Sequence, residues 1–77
     1  EEFIIICPET DFQGTIKVAQ SLREIISTYE FPIINTISAS FGVSIYDGDE
    51  NIDQVIARAD NALYKAKENG RNKVEGY

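Results

Sequence analysis

The sequence has a single cysteine, Cys7, which excludes an intramolecular disulfide. Cys7 lies within an apolar run, so we expect a buried, unreactive thiol that suits a reducing compartment. No apolar run approaches the ~20 residues that a membrane span needs, and two glutamates stand where a signal peptide carries positive charge. We therefore expect a soluble cytoplasmic segment without membrane contact, either in a soluble protein or in the cytoplasmic part of a membrane-anchored one.

Basic residues are few, with 7 Lys and Arg against 13 Asp and Glu, for a formal net charge of −6. The summed field of such a chain repels phosphate, which argues against general binding of nucleic acid or anionic lipid. Any phosphate site must therefore be local. The C-terminal part of the chain holds one basic cluster, formed by Lys65, Lys67, Arg71 and Lys73.

The chain of 77 residues is long enough for one domain at most. A domain of this size buries only about 60% of the surface of its unfolded chain and would be only marginally stable, so we expect the chain to be part of a larger protein. The hydrophobic content of 43% and the lack of low-complexity sequence nevertheless indicate a globular core.

The first half of the chain predicts a strand followed by a helix. Residues 3–7 are apolar without polar alternation, which is typical of a strand buried on both faces, and Pro8 ends it. Thr10 with Gln13 forms a capping-box pattern, so we expect a helix that starts there and runs to about Glu30.

The second half predicts strand, helix and a short last strand. Apolar and small residues alternate over residues 33–45, and we expect the small face to pack or face solvent, although it could also admit a ligand. Asn51 with Gln54 predicts the start of a second helix that ends near Asn69. Gly70 is the expected left-handed stop, and a short strand can begin at residues 71–74.

Several motifs together resemble the GGDEF family of diguanylate cyclases. Residues 1–6 read EEFIII, which resembles the end of the Gly-Gly-(Asp/Glu)-Glu-Phe signature and the strand that follows it. The resemblance continues through PETD at 8–11 and SFGV at 40–43, and it is most specific in RADNALYKAKENGRN at 58–72. The two glycines of the signature would precede Glu1. We therefore interpret residues 1–77 as the C-terminal part of a single GGDEF domain.

The resemblance implies an α+β fold, part of the ferredoxin-like palm of nucleotide cyclases, in the order β-α-β-α-(β). That palm has a central sheet with antiparallel strands, whereas periodicity alone favours a parallel β-α-β unit. The implied reaction condenses two GTP molecules into cyclic di-GMP and pyrophosphate, with Mg²⁺ or Mn²⁺, across a homodimer of cyclase domains. A covalently linked sensory or receiver domain is expected in the parent protein, and these 77 residues alone are expected to be inactive.

The resemblance also implies roles for four residues. Glu1 matches the third signature position and is the principal metal ligand, with a part in deprotonating the attacking hydroxyl. Glu2 is a second metal ligand or a hydrogen-bond partner of the substrate. Lys67 and Arg71 match the positions that hold the GTP phosphates. Basic residues also complement the negative end of any helix, and only the sequence context favours a phosphate role here.

The neighbours of these residues are interpreted as structural. Asp60 is placed on nearly the same helix meridian as Lys67, Tyr64 is expected to pack, and Asn72 to tie down the turn after Gly70. Two other functions stay open. One is a degenerate GGDEF domain that binds a nucleotide or partner and regulates without catalysis. The other is a small acidic α/β interaction module that binds no nucleotide.

Overall fold

The computed structural model describes residues 2–77, which form two helices and two short strands. In chain order these are α1 (Phe12–Thr28), β1 (Phe41–Val43), α2 (Ile52–Glu68) and β2 (Val74–Gly76). The α+β class and the helix, strand, helix, strand order agree with part of a cyclase palm. Neither α1 nor α2 is long and apolar enough to cross a membrane.

The two strands pair in parallel, with Phe41 opposite Val74 and Val43 opposite Gly76. The Tyr77 N–H extends the ladder by donating to the Val43 carbonyl at 2.9 Å. Parallel strands need a crossover connection, which α2 supplies while packing on both of them, and α1 also packs on both. The short last strand is thus confirmed, and β1, α2 and β2 form a parallel β-α-β unit of the kind that periodicity alone favours. The antiparallel neighbour that the resemblance implies is not formed by the named strands of residues 2–77.

Helix α2 begins and ends where its sequence predicts. The Asn51 side chain accepts from the Gln54 N–H at 3.0 Å, and the Gln54 side chain accepts from the Asn51 N–H at 3.2 Å. At the other end Gly70 has a φ of +114°, and the Arg71 N–H donates to the Ala66 carbonyl at 2.9 Å. This is the Schellman pattern, so both ends are determined by local chemistry.

Helix α1 starts one residue later than predicted. Asp11, not Thr10, is the N-cap, because its carboxylate accepts from the Gly14 N–H at 2.7 Å. The Thr10 hydroxyl instead donates to the Pro8 carbonyl at 2.9 Å, so the predicted capping box is wrong. The helix also ends at Thr28 rather than near Glu30. Asp11 is the N-cap in preference to Thr10 because a carboxylate caps a helix at least as well as a hydroxyl and is also stabilised by the positive end of the helix dipole.

Two strand predictions differ from the structure. Residues 3–7 form no strand, and Cys7 is half-buried rather than buried. Of residues 33–45, only Phe41–Val43 forms a strand. The physical reason is pairing: a strand needs a hydrogen-bonded neighbour, and β1 and β2 pair only with each other within the described chain. Large apolar side chains are consequently exposed, among them Phe3 at 83% and Ile33 at 92%.

Gly42 lies in the middle of β1, directly against α2. A Cβ atom at this position would lie 2.1 Å from the Ala59 carbonyl oxygen and 2.3 Å from the Leu63 nitrogen. On the same face, the Ser44 hydroxyl donates to the Val55 carbonyl at 2.7 Å. The small face of the strand is therefore filled by a close-packed helix, as predicted, and not by a ligand.

Replacing Gly42 by alanine should lower the free energy of unfolding of the intact domain by about 1–3 kcal/mol, because helix backbone must move to admit the methyl group. Urea unfolding measures this loss. Gly48→Ala measures the cost of a left-handed backbone alone, since a Cβ there meets nothing within 4 Å and its φ is +99°. A loss well below about 1 kcal/mol in Gly42→Ala would contradict the close approach of β1 and α2.

An ion pair fixes the loop between β1 and α2. The Arg58 guanidinium donates to both carboxylate oxygens of Glu50 and, at 2.7 Å, to the Ile45 carbonyl. Its Cζ lies 5.9 Å from the centroid of the Tyr77 ring. Only 26% of the Arg58 side chain and 13% of the Glu50 side chain are exposed. Through its two hydrogen bonds to Glu50, Arg58 joins the loop to α2, and its contact with the Tyr77 ring joins both to the C-terminal residue.

The hydrogen bond from Arg58 lowers the pKa of Glu50 below its usual value of 4.5, against the opposing effect of partial burial. The pair should therefore contribute stability above pH 4.5, and that contribution should be lost as the pH falls through the lowered pKa. Urea unfolding of the intact domain should show Glu50→Gln to be less stable at pH 7 and to approach the wild type progressively as the pH falls below 4.5. Glu30→Gln is the exposed control. If the wild type remained more stable than Glu50→Gln by the same free energy at low pH as at pH 7, the proposed role of the ion pair would be contradicted.

Candidate active site

Glu2 and Lys67 meet at the surface although 64 residues separate them in the sequence. The Lys67 Nζ lies 3.6 Å from Oε2 of Glu2. The Lys67 side chain is 42% exposed and that of Glu2 is 67% exposed. Exposed ion pairs contribute little to stability, because both groups stay hydrated and are screened by salt. This contact is thus open to exchange with a charged ligand.

The pair lies in a shallow pocket of about 190 Å³, lined by Glu2, Asp60, Leu63, Tyr64 and Lys67, which we call the Lys67 pocket. Four of these residues are spaced by three, four and seven along α2, which puts them on one helix face. Asp60 thus lines the pocket, which sequence reasoning missed even though its spacing from Lys67 was the available signal. The neighbouring carboxylate of Glu68 raises the pKa of the Tyr64 hydroxyl above its usual value of 10.

Carboxylate oxygens are the ligands that Mg²⁺ prefers, and Glu2 supplies them at this pocket. Glu1, the principal metal ligand in the sequence prediction, lies outside the described residues. Within residues 2–77, no three acidic, histidine or cysteine side chains gather closely enough to hold a metal ion. Of the two glutamates predicted as metal ligands, the structure thus describes only Glu2, which lies at the surface beside Lys67.

Arg71 follows α2 and lies in the turn after Gly70, four residues beyond Lys67. Its side chain is exposed, its φ is +62°, and it is not among the residues that line the Lys67 pocket. Of the four predicted site residues, the structure thus brings Glu2 and Lys67 together and places Arg71 at the neighbouring helix end.

The other basic residues of the cluster are arranged differently. Lys65 is in the last turn of α2 and is exposed, and the Lys73 ammonium donates to the Asn69 carbonyl beyond the helix. Cations at this end complement the exposed carbonyls of the helix. The Asn72 N–H donates to the Ser40 hydroxyl oxygen at 3.2 Å, so the prediction that Asn72 ties down the turn is confirmed.

The chain is similar to known diguanylate cyclases along nearly its whole length. The family model described as "Diguanylate cyclase, GGDEF domain" matches residues 1–73. Diguanylate cyclase DgcM of Escherichia coli K12 is 34% identical over 74 residues, which are 96% of this chain and 18% of that protein. Diguanylate cyclase A of Treponema denticola is 38% identical over 79 residues, 96% of this chain and 21% of that protein.

Diguanylate cyclase DgcP of Pseudomonas aeruginosa is 33% identical over 78 residues, 97% of this chain and 12% of that protein. The chain thus spans about a fifth or less of the length of these relatives. The match nevertheless covers nearly all of the chain, including the Lys67 pocket and the turn that carries Arg71. The chain belongs to the GGDEF domain family of diguanylate cyclases.

Proposed function

We propose that this chain is the C-terminal part of a GGDEF domain that condenses two GTP molecules into cyclic di-GMP and pyrophosphate. The observation that carries the proposal is the contact between Glu2 and Lys67 at 3.6 Å. It brings a carboxylate from the EEFIII stretch at residues 1–6 beside a cation from the stretch at residues 58–72, and both stretches carry the resemblance to the family. A metal-binding acid and a phosphate-binding base side by side suit a site for a metal-bound triphosphate.

The reaction is a phosphoryl transfer in which the 3′-hydroxyl of one GTP attacks the α-phosphorus of the other. The bond between that α-phosphorus and the oxygen that bridges it to the β-phosphate breaks, and pyrophosphate leaves. When bound, Mg²⁺ or Mn²⁺ neutralises phosphate charge and makes the attacking hydroxyl more acidic. Glu1 and Glu2 are the residues of this chain that we assign as ligands of that metal, with further ligands expected from the N-terminal half of the domain.

Lys67 and Arg71 are assigned to the phosphates. The ammonium of Lys67 is a compact charge with three donors, and its contact with Glu2 uses only part of this capacity. Arg71 offers a planar fork of donors that can bind two phosphate oxygens at once. Binding of GTP would thus replace an exposed ion pair with charge-assisted hydrogen bonds to phosphate.

Two GTP molecules must meet, so we propose that a homodimer of domains is the working unit, each protomer presenting one GTP to the other. The relatives are much longer than this chain, which supports a linked sensory or receiver domain in the parent protein. We propose a cytoplasmic location, where GTP is available as substrate.

The proposal is tested by incubating the intact domain with GTP and Mg²⁺ and separating the nucleotides by chromatography. We expect cyclic di-GMP and pyrophosphate in a 1:2 ratio, because each ring closure releases two pyrophosphates. The 77-residue chain alone should make no product. An intact domain that binds GTP without turnover would instead support the regulatory, non-catalytic alternative.

A further inference from the structure

We infer that Arg23 of α1 is a positioning residue that holds the turn carrying Arg71. The functional meaning of this inference rests on the assignment of Arg71 to the GTP phosphates under the proposed function. Arg23 lies far from the turn in sequence, since Asn72 is 49 positions further along the chain. The contact between them is therefore a tertiary one, made by the fold and not by local sequence.

The turn has a backbone that needs support. Gly70, Arg71 and Asn72 have φ angles of +114°, +62° and +49°, so three successive residues occupy the left-handed region. Glycine adopts this region readily, but residues with a Cβ do so at a cost. Two adjacent non-glycine residues in this region therefore persist only where surrounding contacts hold them.

Contacts from two directions supply that support. The Arg23 Nη1 donates to the Asn72 side-chain carbonyl at 3.2 Å, and the Arg23 Nε donates to the Gln20 side-chain oxygen at 2.9 Å. Only 22% of the Arg23 side chain is exposed. From the other side, the Ser40 hydroxyl accepts from the Asn72 N–H at 3.2 Å. Gln20 orients the guanidinium, and Asn72 is fixed between α1 and the residue before β1.

This arrangement fixes the backbone of Arg71 while its side chain stays exposed. A cation on a fixed backbone loses less conformational freedom when it binds phosphate than one on a mobile loop. Arg23 would thus raise affinity for GTP without touching it. Loss of Arg23 should consequently act on KM for GTP through Arg71.

Hydrogen exchange of the intact domain tests the contact without any nucleotide. In Arg23→Ala we expect the Arg71 and Asn72 amides to exchange roughly five to ten times faster, because a hydrogen bond from a charged donor is lost. Amides in the first half of α2 should be unchanged. Lys17→Ala is the control, as it removes the same charge from an exposed position of the same helix. Unchanged exchange of the Arg71 and Asn72 amides in Arg23→Ala would overturn the inference.

Steady-state kinetics of the intact domain give the second test. Arg23→Ala should raise KM for GTP several-fold, and the Arg23→Ala/Arg71→Ala double variant should be no worse than Arg71→Ala alone. A merely structural role would lower activity additively, and additive losses would overturn the inference. If the wild-type domain makes no product, the proposed function fails, while hydrogen exchange still decides whether Arg23 holds the turn.

Discussion

Replacing Lys67 by alanine in the intact GGDEF domain should lower kcat/KM for cyclic di-GMP synthesis by about a hundredfold. Lys67 is a predicted phosphate ligand that lies beside a signature glutamate, with its Nζ 3.6 Å from Oε2 of Glu2. Phosphate charge increases as pyrophosphate departs, so a fixed cation stabilises the transition state more than the bound substrate. Both kcat and KM should therefore change in a steady-state assay of product formation.

Lys65→Ala is the matched control for this experiment. Lys65 is in the same last turn of α2 and carries the same charge, but it does not line the Lys67 pocket. Its loss should change kcat/KM less than about threefold, as expected for a screened surface charge. Equal losses in the two variants would mean that the basic cluster acts through its general field, and the specific role of Lys67 would be refuted.

Changing Glu1 to glutamine should abolish product formation, on the order of a thousandfold loss, with the thermal unfolding midpoint nearly unchanged. The amide keeps the size of the side chain but removes the negative charge that favours a metal ion. Glu2→Gln should cost less, roughly tenfold, because Glu2 is the second ligand and Glu1 remains.

The Glu1→Gln and Glu2→Gln variants remove the same charge from adjacent positions, so they separate the roles of the two glutamates. Added Mn²⁺ should partly restore Glu2→Gln, since the site keeps its principal ligand, and should not restore Glu1→Gln. Undiminished turnover in Glu1→Gln would show that the resemblance assigns the wrong acid. A greater loss in Glu2→Gln than in Glu1→Gln would reverse their proposed ranking.

Features determined by neighbours in sequence were predictable. The cap at Asn51 and the stop at Gly70 depend on groups within a few residues, so the bounds of α2 follow from its own sequence. The N-cap of α1 shows the limit of this reasoning. Thr10 and Asp11 are adjacent and both can cap a helix, and the choice depends on which oxygen reaches the helix N–H groups.

Features that depend on distant partners were not predictable from pattern. Residues 3–7 have strong β character, but a strand forms only where another strand supplies hydrogen bonds. Only the family resemblance related Glu2 to Lys67, because it assigns both residues to one substrate site. The contact of Arg23 with Asn72 has no sequence signal, because neither residue type nor spacing relates positions so far apart.

The most direct test of the central claim, that the Lys67 pocket holds the GTP phosphates, is calorimetric titration of the intact domain with 3′-deoxy-GTP and saturating Mg²⁺. This nucleotide lacks the attacking hydroxyl, so binding is measured without turnover. The proposed site predicts equal Kd values for the wild type and Lys65→Ala, and a Kd at least about tenfold higher for Lys67→Ala. Equal affinity in all three proteins, or no binding to the wild type, would contradict it.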